Sequence, residues 1–315
     1  MTGLNNFPLA RYRFEFEVKT PIRLPDYAGS ALRGAFGHAL RQLSCMTRQK
    51  DCARCPLIKT CPYPAIFAPL PPENHSLQKF SQIPVPYVIE PPEWGARILH
   101  EGEMLNFHFV MIGRALKELP LMILAWRRAL ALGVGAGDGT AELARIVHCD
   151  PDGMDTEIYR PDTGIILPHA QEVALNHPDD DSTASTTLQF NTPLRLQKNG
   201  HALSQGKLDA RTLLMGLVRR ANLPAEFHGE GPPIRDFAPF LEACAGIRDD
   251  KNLSWQDWTR YSSRQRQKMS LGGAVGTWTL KGNIFLFAPY LRLGQWLHVG
   301  KEASFGLGQY RLLHA

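Results

Sequence analysis

The sequence lacks any long hydrophobic run. Its longest strongly apolar stretch, Leu119 to Trp126, is far shorter than the roughly 20 residues that span a bilayer. The first residues also lack the basic segment followed by an apolar segment that marks a secretory signal. We therefore expect a cytoplasmic protein with no membrane partner. Of its 315 residues, 44% are hydrophobic and 21% are charged, which is typical of a globular protein and excludes a disordered chain.

Several familiar catalytic motifs are also missing. The sequence contains no H-E-x-x-H pattern of zinc proteases, no G-x-S-x-G pattern of hydrolases and no deaminase signature. The glycine-rich segment 300–308 is not a Walker loop, because no G-K-[ST] follows at the required spacing. Its glycines allow two interpretations. They permit a tight turn, or they form a backbone cradle for phosphate to which Lys301 adds charge.

Positive charge is unevenly distributed along the chain. The formal net charge is +5, yet residues 1–60 alone hold ten Lys or Arg against four Asp or Glu. A second basic stretch, residues 259–268, has no acidic residue and carries four cations: Arg260, Arg264, Arg266 and Lys268. A charge run is often only a solvated face. Two separated basic stretches, one of them with a tyrosine, favour a polyanionic partner.

The hydrophobic pattern predicts an α+β protein. Apolar and polar residues alternate over 11–18, which indicates a half-buried strand, and residues 29–45 show helical periodicity. A Pro-rich segment follows at 62–93. The other predicted elements are strands at 105–113, 188–196 and 309–313, helices at 118–132 and 209–222, and a hairpin formed by 275–282 and 283–290.

The two halves of the chain share one order of elements. Each half opens with a strand that ends in Thr-Pro, at Thr20-Pro21 and Thr192-Pro193, continues into a helix and later carries a Gly-rich turn. This repetition favours the duplication of one α+β unit, ferredoxin-like in type. We predict an N-terminal domain at 1–180 with a small cysteine-rich insertion, and a C-terminal domain at 181–315 with the glycine-rich loop. The polar residues 177–187 are the best linker candidate.

One face of the first predicted helix carries a candidate catalytic residue. Helical spacing places an apolar stripe on one side, formed by Leu32, Phe36, Ala39, Leu40 and Leu43. It places Gly34, Gly37, His38 and Arg41 on the opposite side. A histidine in such a position is either an ordinary surface residue or a general acid or base.

Four of the six cysteines form the strongest metal-like pattern. Cys45, Cys52, Cys55 and Cys61 lie within 17 residues, with a C-x-x-C pair in the middle. Four thiolates can complete the tetrahedral shell of a structural zinc ion. An iron–sulfur cluster and reduced, unligated thiols are the alternatives, while disulfides are not expected in a reducing compartment.

Several segments resemble one known family. The residues are YAGSALRGAFGH at 27–38, the C-x-x-C cluster with Cys61-Pro62-Tyr63, FNTPLRL at 190–196, RYSSRQ at 260–265, LGGAVG at 271–276 and GKEASFGLGQY at 300–310. They resemble the CRISPR repeat-processing endoribonucleases of the RAMP superfamily, in a subgroup with a cysteine cluster. The resemblance covers nearly the whole chain and implies two ferredoxin-like domains related to the RNA-recognition motif, with RNA bound across a basic cleft.

The resemblance also implies an activity and its partners. Members of this family cut precursor CRISPR RNA within each repeat without a metal ion, by attack of a 2′-hydroxyl on the adjacent phosphate. The products carry a 2′,3′-cyclic phosphate and a 5′-hydroxyl. The expected partners are precursor and mature guide RNA and other subunits of a CRISPR effector complex, with no direct DNA contact. The alternative is a non-catalytic RAMP subunit that only binds and scaffolds RNA.

Site residues follow from the same resemblance. His38 matches the family's catalytic histidine, and Tyr27 matches a tyrosine that accompanies it in some members. The lysine that completes the set has no counterpart, so Arg41 is the candidate for the positive charge. The expected RNA-binding residues are Arg33, Arg260, Arg264, Arg266, Lys268, Gly300, Lys301, Gly306 and Gly308. Catalysis would need no cofactor, so any zinc at the four cysteines would be structural.

Overall fold

The chain divides into two compact units. The computed structural model describes residues 6–72, 83–151, 153–174, 185–198, 200–229, 234–262 and 267–313. One unit is built from residues 8–173 together with 227–230, and the other from most of the remaining chain. The predicted domain boundary between residues 180 and 181 lies outside the described residues, as does most of the predicted linker.

The N-terminal unit contains a six-stranded sheet and two long helices, α1 and α3. Its elements are β1 (Asn6–Val18), β2 (Ile22–Leu24), α1 (Gly29–Ser44), α2 (Pro62–Phe67), β3 (Tyr87–Glu90), β4 (Arg97–Leu99), β5 (Met104–Ile112), α3 (Leu119–Leu132), β6 (Ala141–His148), β7 (Thr156–Tyr159) and β8 (Glu172–Ala174). The sheet runs β3-β5-β1-β6-β7, while β8 pairs with β1 and β2 pairs with β4. The chain order β1-α1-β3-β5-α3-β6 on this sheet is the ferredoxin-like arrangement.

Aromatic side chains hold the helices to this sheet. The alternation in β1 turns Tyr12, Phe14 and Phe16 inward, as the sequence predicted. Phe14 stacks on Phe107 of β5 with ring centroids 5.7 Å apart, and Phe107 lies 4.5 Å from Trp126 of α3. These rings therefore form one continuous core between sheet and helices.

Helix α1 follows its predicted pattern with two exceptions. Leu32, Phe36, Ala39 and Leu40 are buried, whereas Leu43, in the last turn of the helix, is 38% exposed. Gly37, predicted on the side opposite the apolar stripe, is buried, because the Phe67 ring of α2 covers it. The Pro-rich segment also contains regular structure, namely α2 and β3.

The C-terminal unit repeats the same arrangement. Its elements are β9 (Ser185–Leu194), β10 (Gln197–Lys198), β11 (His201–Ala202), α4 (Ala210–His228), α5 (Ala238–Ala243), β12 (Arg248–Ser262), β13 (Gln267–Lys281), α6 (Ala288–Leu297) and β14 (Tyr310–Leu313). The sheet runs β12-β13-β9-β14 and the long helices are α4 and α6. The predicted class, tandem ferredoxin-like units of α+β type, is confirmed.

The predicted hairpin at 275–290 is wrong. Residues 275–281 end strand β13, while the apolar residues after Asn283 form a 3-10 turn and the start of α6, with Phe287 and Leu291 buried at helical spacing. The real hairpin is β12–β13, with 15 residues in each strand. Among the described residues, β13 pairs with β9 only from Ala274 onward, so the distal part of the hairpin is a two-stranded ribbon. We call residues 256–262 and 267–273 the ribbon.

No helix in the described ranges is both long and apolar enough to cross a membrane.

The glycine-rich loop before β14 is a tight turn seated on the end of β9. The Thr192 hydroxyl donates to the Gly306 carbonyl at 2.8 Å, and the Gly308 amide donates to the Pro193 carbonyl at 3.1 Å. Gly308 has φ +70°, and a Cβ built on it would lie 1.8 Å from the carbonyl oxygen of Val299. Only glycine fits this position without moving the backbone.

We expect Gly308→Ala to lower the free energy of unfolding by about 3 kcal/mol, because the new methyl group meets a backbone atom at a left-handed φ. Urea unfolding of the purified protein measures this. Gly206→Ala is the matched control, because a Cβ at Gly206 has no heavy atom within 4 Å. An unchanged midpoint for Gly308→Ala would contradict the proposed tight fit.

Candidate active site

An exposed ridge of α1 carries the candidate catalytic histidine. Because the side chains of Leu32, Phe36 and Leu40 face the core, residues on the other side of the helix face outward. Gly34, His38 and Gln42 are spaced four residues apart there and are all exposed. A Cβ on Gly34 would have no heavy atom within 4 Å, so the surface beside His38 is open.

Gln42 connects His38 to helix α3 by hydrogen bonds. The Nε2 atoms of Gln42 and His38 are 2.8 Å apart. Arg128 of α3 donates from Nε to Oε1 of Gln42 at 2.9 Å. The three side chains form a chain of hydrogen bonds across the exposed surface of α1 and α3. The helical spacing of His38 and Gln42 could have indicated their contact, whereas Arg128 joins them only through the tertiary packing of the helices.

Tyr27 does not share this exposed ridge. Its side chain is buried, with its ring centroid 4.9 Å from that of Trp94. Burial raises the pKa of Tyr27 well above its usual range, and the nearby Glu90 carboxylate raises it further. The tyrosine therefore retains its proton at neutral pH and faces the core. Its catalytic role beside His38 stays a prediction that this geometry does not favour.

Two predicted arginines have structural contacts in the same unit. The Arg41 guanidinium donates to the carbonyls of Gln49 and Lys50 and lies over the Tyr63 ring. Arg41 thereby fastens the start of the cysteine segment to α1. The Arg33 guanidinium is half-buried and lies 4.4 Å from the centre of the Phe67 ring. Both cations are thus engaged by the protein itself, and their roles toward RNA stay predictions.

The four clustered cysteines line one small cavity. Its volume is about 90 Å³, and Cys45, Cys52, Cys55 and Cys61 all contribute to its wall. All four are half-buried and free of disulfide bonds. Cys52 and Cys55 are joined by a turn in which the Cys55 amide donates to the Cys52 carbonyl at 3.0 Å. Within the described ranges, no three histidine, cysteine or acidic side chains are grouped closely enough to hold a metal ion.

Three backbone amides of the glycine-rich loop form hydrogen bonds within the protein. The amides of Lys301, Gly306 and Gly308 donate to the carbonyls of Arg195, Ala303 and Pro193 respectively. These three donors are used within the protein, so the glycines serve the turn. The predicted contact of Gly300, Gly306 and Gly308 with RNA stays a prediction, and these internal hydrogen bonds do not favour it. The side chain of Lys301 is exposed and can still contact RNA.

The basic stretch at 259–268 lies at the end of the ribbon. Arg260 is in β12 opposite Met269, and Lys268 is in β13 opposite Tyr261. Arg264 and Arg266 fall outside the described residues. Arg260 and Lys268 thus lie on the two paired strands, and their contacts with RNA stay predictions.

Four of the ten cations in residues 1–60 form ion pairs, which compensate part of the basic excess. Arg11 pairs with Glu90, Arg13 with Glu15 and Asp155, Lys19 with Glu17 and Glu142, and Arg54 with Asp51. Arg11, Arg13 and Glu15 lie on the face of the sheet opposite the helices, where Arg145 also bonds Glu15 at 2.7 Å. The charge count alone therefore overstated the cationic surface of this region.

A second histidine lies on this ion-paired face. His108 is opposite Arg13 in the sheet, and its Nδ1 is 3.8 Å from Glu90. Burial and, to a smaller extent, the Arg11 charge lower the pKa of His108 to about 4, although Glu90 opposes the shift. A histidine that stays neutral to such low pH is poorly suited to proton transfer at neutral pH. This leaves His38 as the better-placed candidate of the two.

Two family models match successive parts of the chain. The model AF_1859_N, an N-terminal domain, matches residues 7–171. The model of the CRISPR-associated endoribonuclease Cas6 matches residues 188–310. A search of curated proteins finds no match.

Solved structures share the fold of the whole chain. A Cas6 product complex has a TM-score of 0.58 and 16% identity, covering 97% of this chain and all of the other. The Cas6 of Thermus thermophilus has a TM-score of 0.55 and 16% identity, over 99% of this chain and all of that one. A partial Cas6-RT-Cas1–Cas2 complex has a TM-score of 0.58 and 14% identity, over 98% of this chain and 46% of the other.

At these identities the structural likeness establishes the fold, and the family model supplies the relationship. The resemblance seen in the sequence is therefore confirmed, although the subgroup defined by the cysteine cluster stays a prediction. Residues 7–171 match the AF_1859_N family of N-terminal domains and residues 188–310 carry a CRISPR-associated Cas6 endoribonuclease domain, in a chain that has the fold of solved Cas6 structures.

Proposed function

We propose that this protein is an endoribonuclease that cleaves precursor CRISPR RNA within its repeats and produces guide RNA. The 2′-hydroxyl at the cut site attacks the adjacent phosphorus, the bond to the 5′-oxygen breaks, and no metal ion takes part. The products are a 2′,3′-cyclic phosphate and a 5′-hydroxyl. The match of residues 188–310 to the Cas6 endoribonuclease domain supports the substrate and the reaction class.

The observation that carries the catalytic part of the proposal is the exposure of His38 on α1. The reaction requires a base for the 2′-hydroxyl and an acid for the leaving 5′-oxygen. An imidazole ordinarily titrates near pH 6.5, so it can perform either transfer at neutral pH. His38 stands on an open surface beside Gly34, where an RNA strand can approach.

A non-catalytic RAMP subunit that binds RNA as a scaffold is the second candidate. Two observations favour it: Tyr27 is buried and Arg41 is bonded to backbone carbonyls, so His38 lacks both predicted companions. A scaffold subunit of this kind would need only cations that bind RNA and no residue that transfers a proton. Cleavage with and without His38 separates the two candidates.

We expect His38→Ala to lower the single-turnover cleavage rate of the host's repeat RNA by about 10²–10⁴-fold, because one general acid–base group is lost. RNA affinity should stay nearly unchanged. The assay contains EDTA, and a repeat with a single 2′-deoxy nucleotide at the cut site should resist cleavage. His100→Ala, which removes another exposed histidine of the same unit, is the control. Tight binding by the wild type without cleavage would support the scaffold instead.

The cations of the basic stretch 259–268 should contribute to RNA affinity through phosphate contacts. We expect the double variant Arg264→Ala/Arg266→Ala to weaken binding and to reduce the slope of log affinity against log salt by about 1.4, the value for two contacts to a single strand. Filter binding across a salt series measures this. The control is Arg248→Ala/Lys281→Ala. It removes two exposed cations that lie opposite each other in the β12–β13 register, at the other end of the hairpin. Equal effects of the two variants would contradict a specific role for the basic stretch 259–268.

We also propose that the four clustered cysteines bind one structural zinc ion. Their shared cavity and the C-x-x-C turn support this, and four thiolates are a donor set that zinc prefers. The thiols would have to move closer together around the ion, which would then fasten the segment between α1 and α2. The ion would take no part in cleavage.

We expect purified protein to contain about one zinc per chain, measured by elemental analysis. Cys52→Ser/Cys55→Ser should lose the zinc and unfold at a lower temperature, because the metal contributes to folding. Cys149→Ser, outside the cluster, should retain it. Iron with visible absorption would indicate the iron–sulfur alternative, and the absence of both metals would leave the thiols unligated.

A further inference from the structure

The side chain of Gln42 stands between the catalytic candidate and a cation of the neighbouring helix. Its Oε1 accepts from Nε of Arg128 at 2.9 Å, and its Nε2 lies 2.8 Å from Nε2 of His38. Arg128 is exposed on α3, and both α1 residues are exposed as well. The contact is therefore not forced by core packing and needs an explanation from the chemistry of the three groups.

The guanidinium fixes which way round the carboxamide lies. An arginine side chain has donors and no acceptor, so the Gln42 atom that faces Arg128 must be the oxygen. The amide nitrogen of Gln42, which only donates, then faces His38. The His38 Nε2 must accept this hydrogen bond, so a neutral His38 ring carries its proton on Nδ1.

We propose that Gln42 and Arg128 are positioning residues that hold His38 in its neutral, Nδ1-protonated form and couple its proton uptake to RNA binding. This inference rests on the proposed catalytic role of His38. A proton arriving at Nε2 would face the amide nitrogen of Gln42, two donors against each other. Gln42 must turn its carboxamide over before the imidazolium can form, and Arg128 opposes that turn because its own donor would then face an amide nitrogen.

An RNA phosphate offers Arg128 a better partner than a neutral amide. The hydrogen bond from Arg128 to Gln42 has one charged partner, whereas a guanidinium–phosphate pair has two and can be bidentate, so it is the stronger interaction. When a phosphate draws Arg128 away, Gln42 can turn and present Oε1 to a protonated Nε2. His38 can then hold the proton that the reaction moves. In this way the histidine becomes able to carry a proton when the substrate is present.

The other charged groups around α1 do not provide this control. Arg41, one turn along, is bonded to the carbonyls of Gln49 and Lys50. Helix α2 contains no charged residue, and Glu90 of β3 is paired with Arg11. On α3, Arg127 is exposed next to Arg128, so it supplies a matched charge without the bond to Gln42.

The test is ¹⁵N–¹H NMR of the His38 ring in the full-length protein without RNA, across pH. The wild type should show the Nδ1-protonated tautomer. Gln42→Leu and Arg128→Met should each admit the other tautomer and raise the midpoint of the His38 titration by about 0.5–1 pH unit, the value of one hydrogen bond. Gln42→Glu should raise it further, because a carboxylate accepts from the imidazolium. Arg127→Met should leave the tautomer unchanged.

Cleavage of repeat RNA gives a second readout. The pH profile of the single-turnover rate should move with the NMR midpoint in Gln42→Leu and Arg128→Met, and not in Arg127→Met. A merely structural role would lower the rate without moving the profile. Identical tautomer and midpoint in wild type and Gln42→Leu would overturn the inference, even if His38→Ala abolishes cleavage. Conversely, full cleavage by His38→Ala would refute the catalytic proposal while the NMR result still stood.

Discussion

The contact between Phe36 and Trp126 fixes how α1 and α3 pack against each other in the N-terminal unit. Their rings stack with centroids 4.9 Å apart and planes inclined by 23°, joining α1 to α3 above the aromatic residues of the sheet. With Phe36 turned inward, the helical repeat leaves His38 and Gln42 outside. The same contact brings α3 close enough for Arg128 to reach Gln42. The position of the candidate site is thus a consequence of hydrophobic packing on the opposite side of two helices.

The sheet of this unit has two chemically different faces. The face toward the helices is aromatic, whereas the other face carries linked ion pairs among Arg11, Arg13, Glu15, Arg145 and Glu90. Proteins with the RNA-recognition motif place base-stacking aromatic residues on such a face. Here the arginines are neutralised by carboxylates. This face is therefore a poor candidate for RNA binding, although its fold resembles the motif.

The sequence predicts those helices and strands whose hydrophobic residues all lie on one face. Strand β1 and helix α1 were predicted correctly because alternation and helical spacing are properties of neighbouring residues. The strand β12 was not predicted, because its polar sequence RDDKNLSWQDWTRYS shows no clear apolar face. The apolar run after Asn283 was assigned to a strand because short apolar runs fit a strand and a buried helix equally well.

The candidate site was predictable to the same extent. The exposure of His38 follows from the helical wheel of α1, so the sequence was sufficient for it. The burial of Tyr27 depends on Trp94, and the engagement of Arg41 depends on the path of the cysteine segment. The contact of Gln42 with Arg128 joins residues 86 positions apart. Such contacts arise only when the helices pack.

The close fit of α2 on α1 has a consequence for the segment between them. A Cβ on Gly37 would lie 2.2 Å from the Phe67 ring, so α2 rests almost on the backbone of α1. The two ends of the cysteine segment are thereby held together, and the Cys61 thiol lies 3.8 Å from the Ser44 carbonyl. Packing of the two helices already closes this loop. Binding of an ion by the four thiols would therefore cost the segment little additional conformational entropy. Under the proposed zinc binding, the contact between α1 and α2 would preorganise the cysteine segment for the ion.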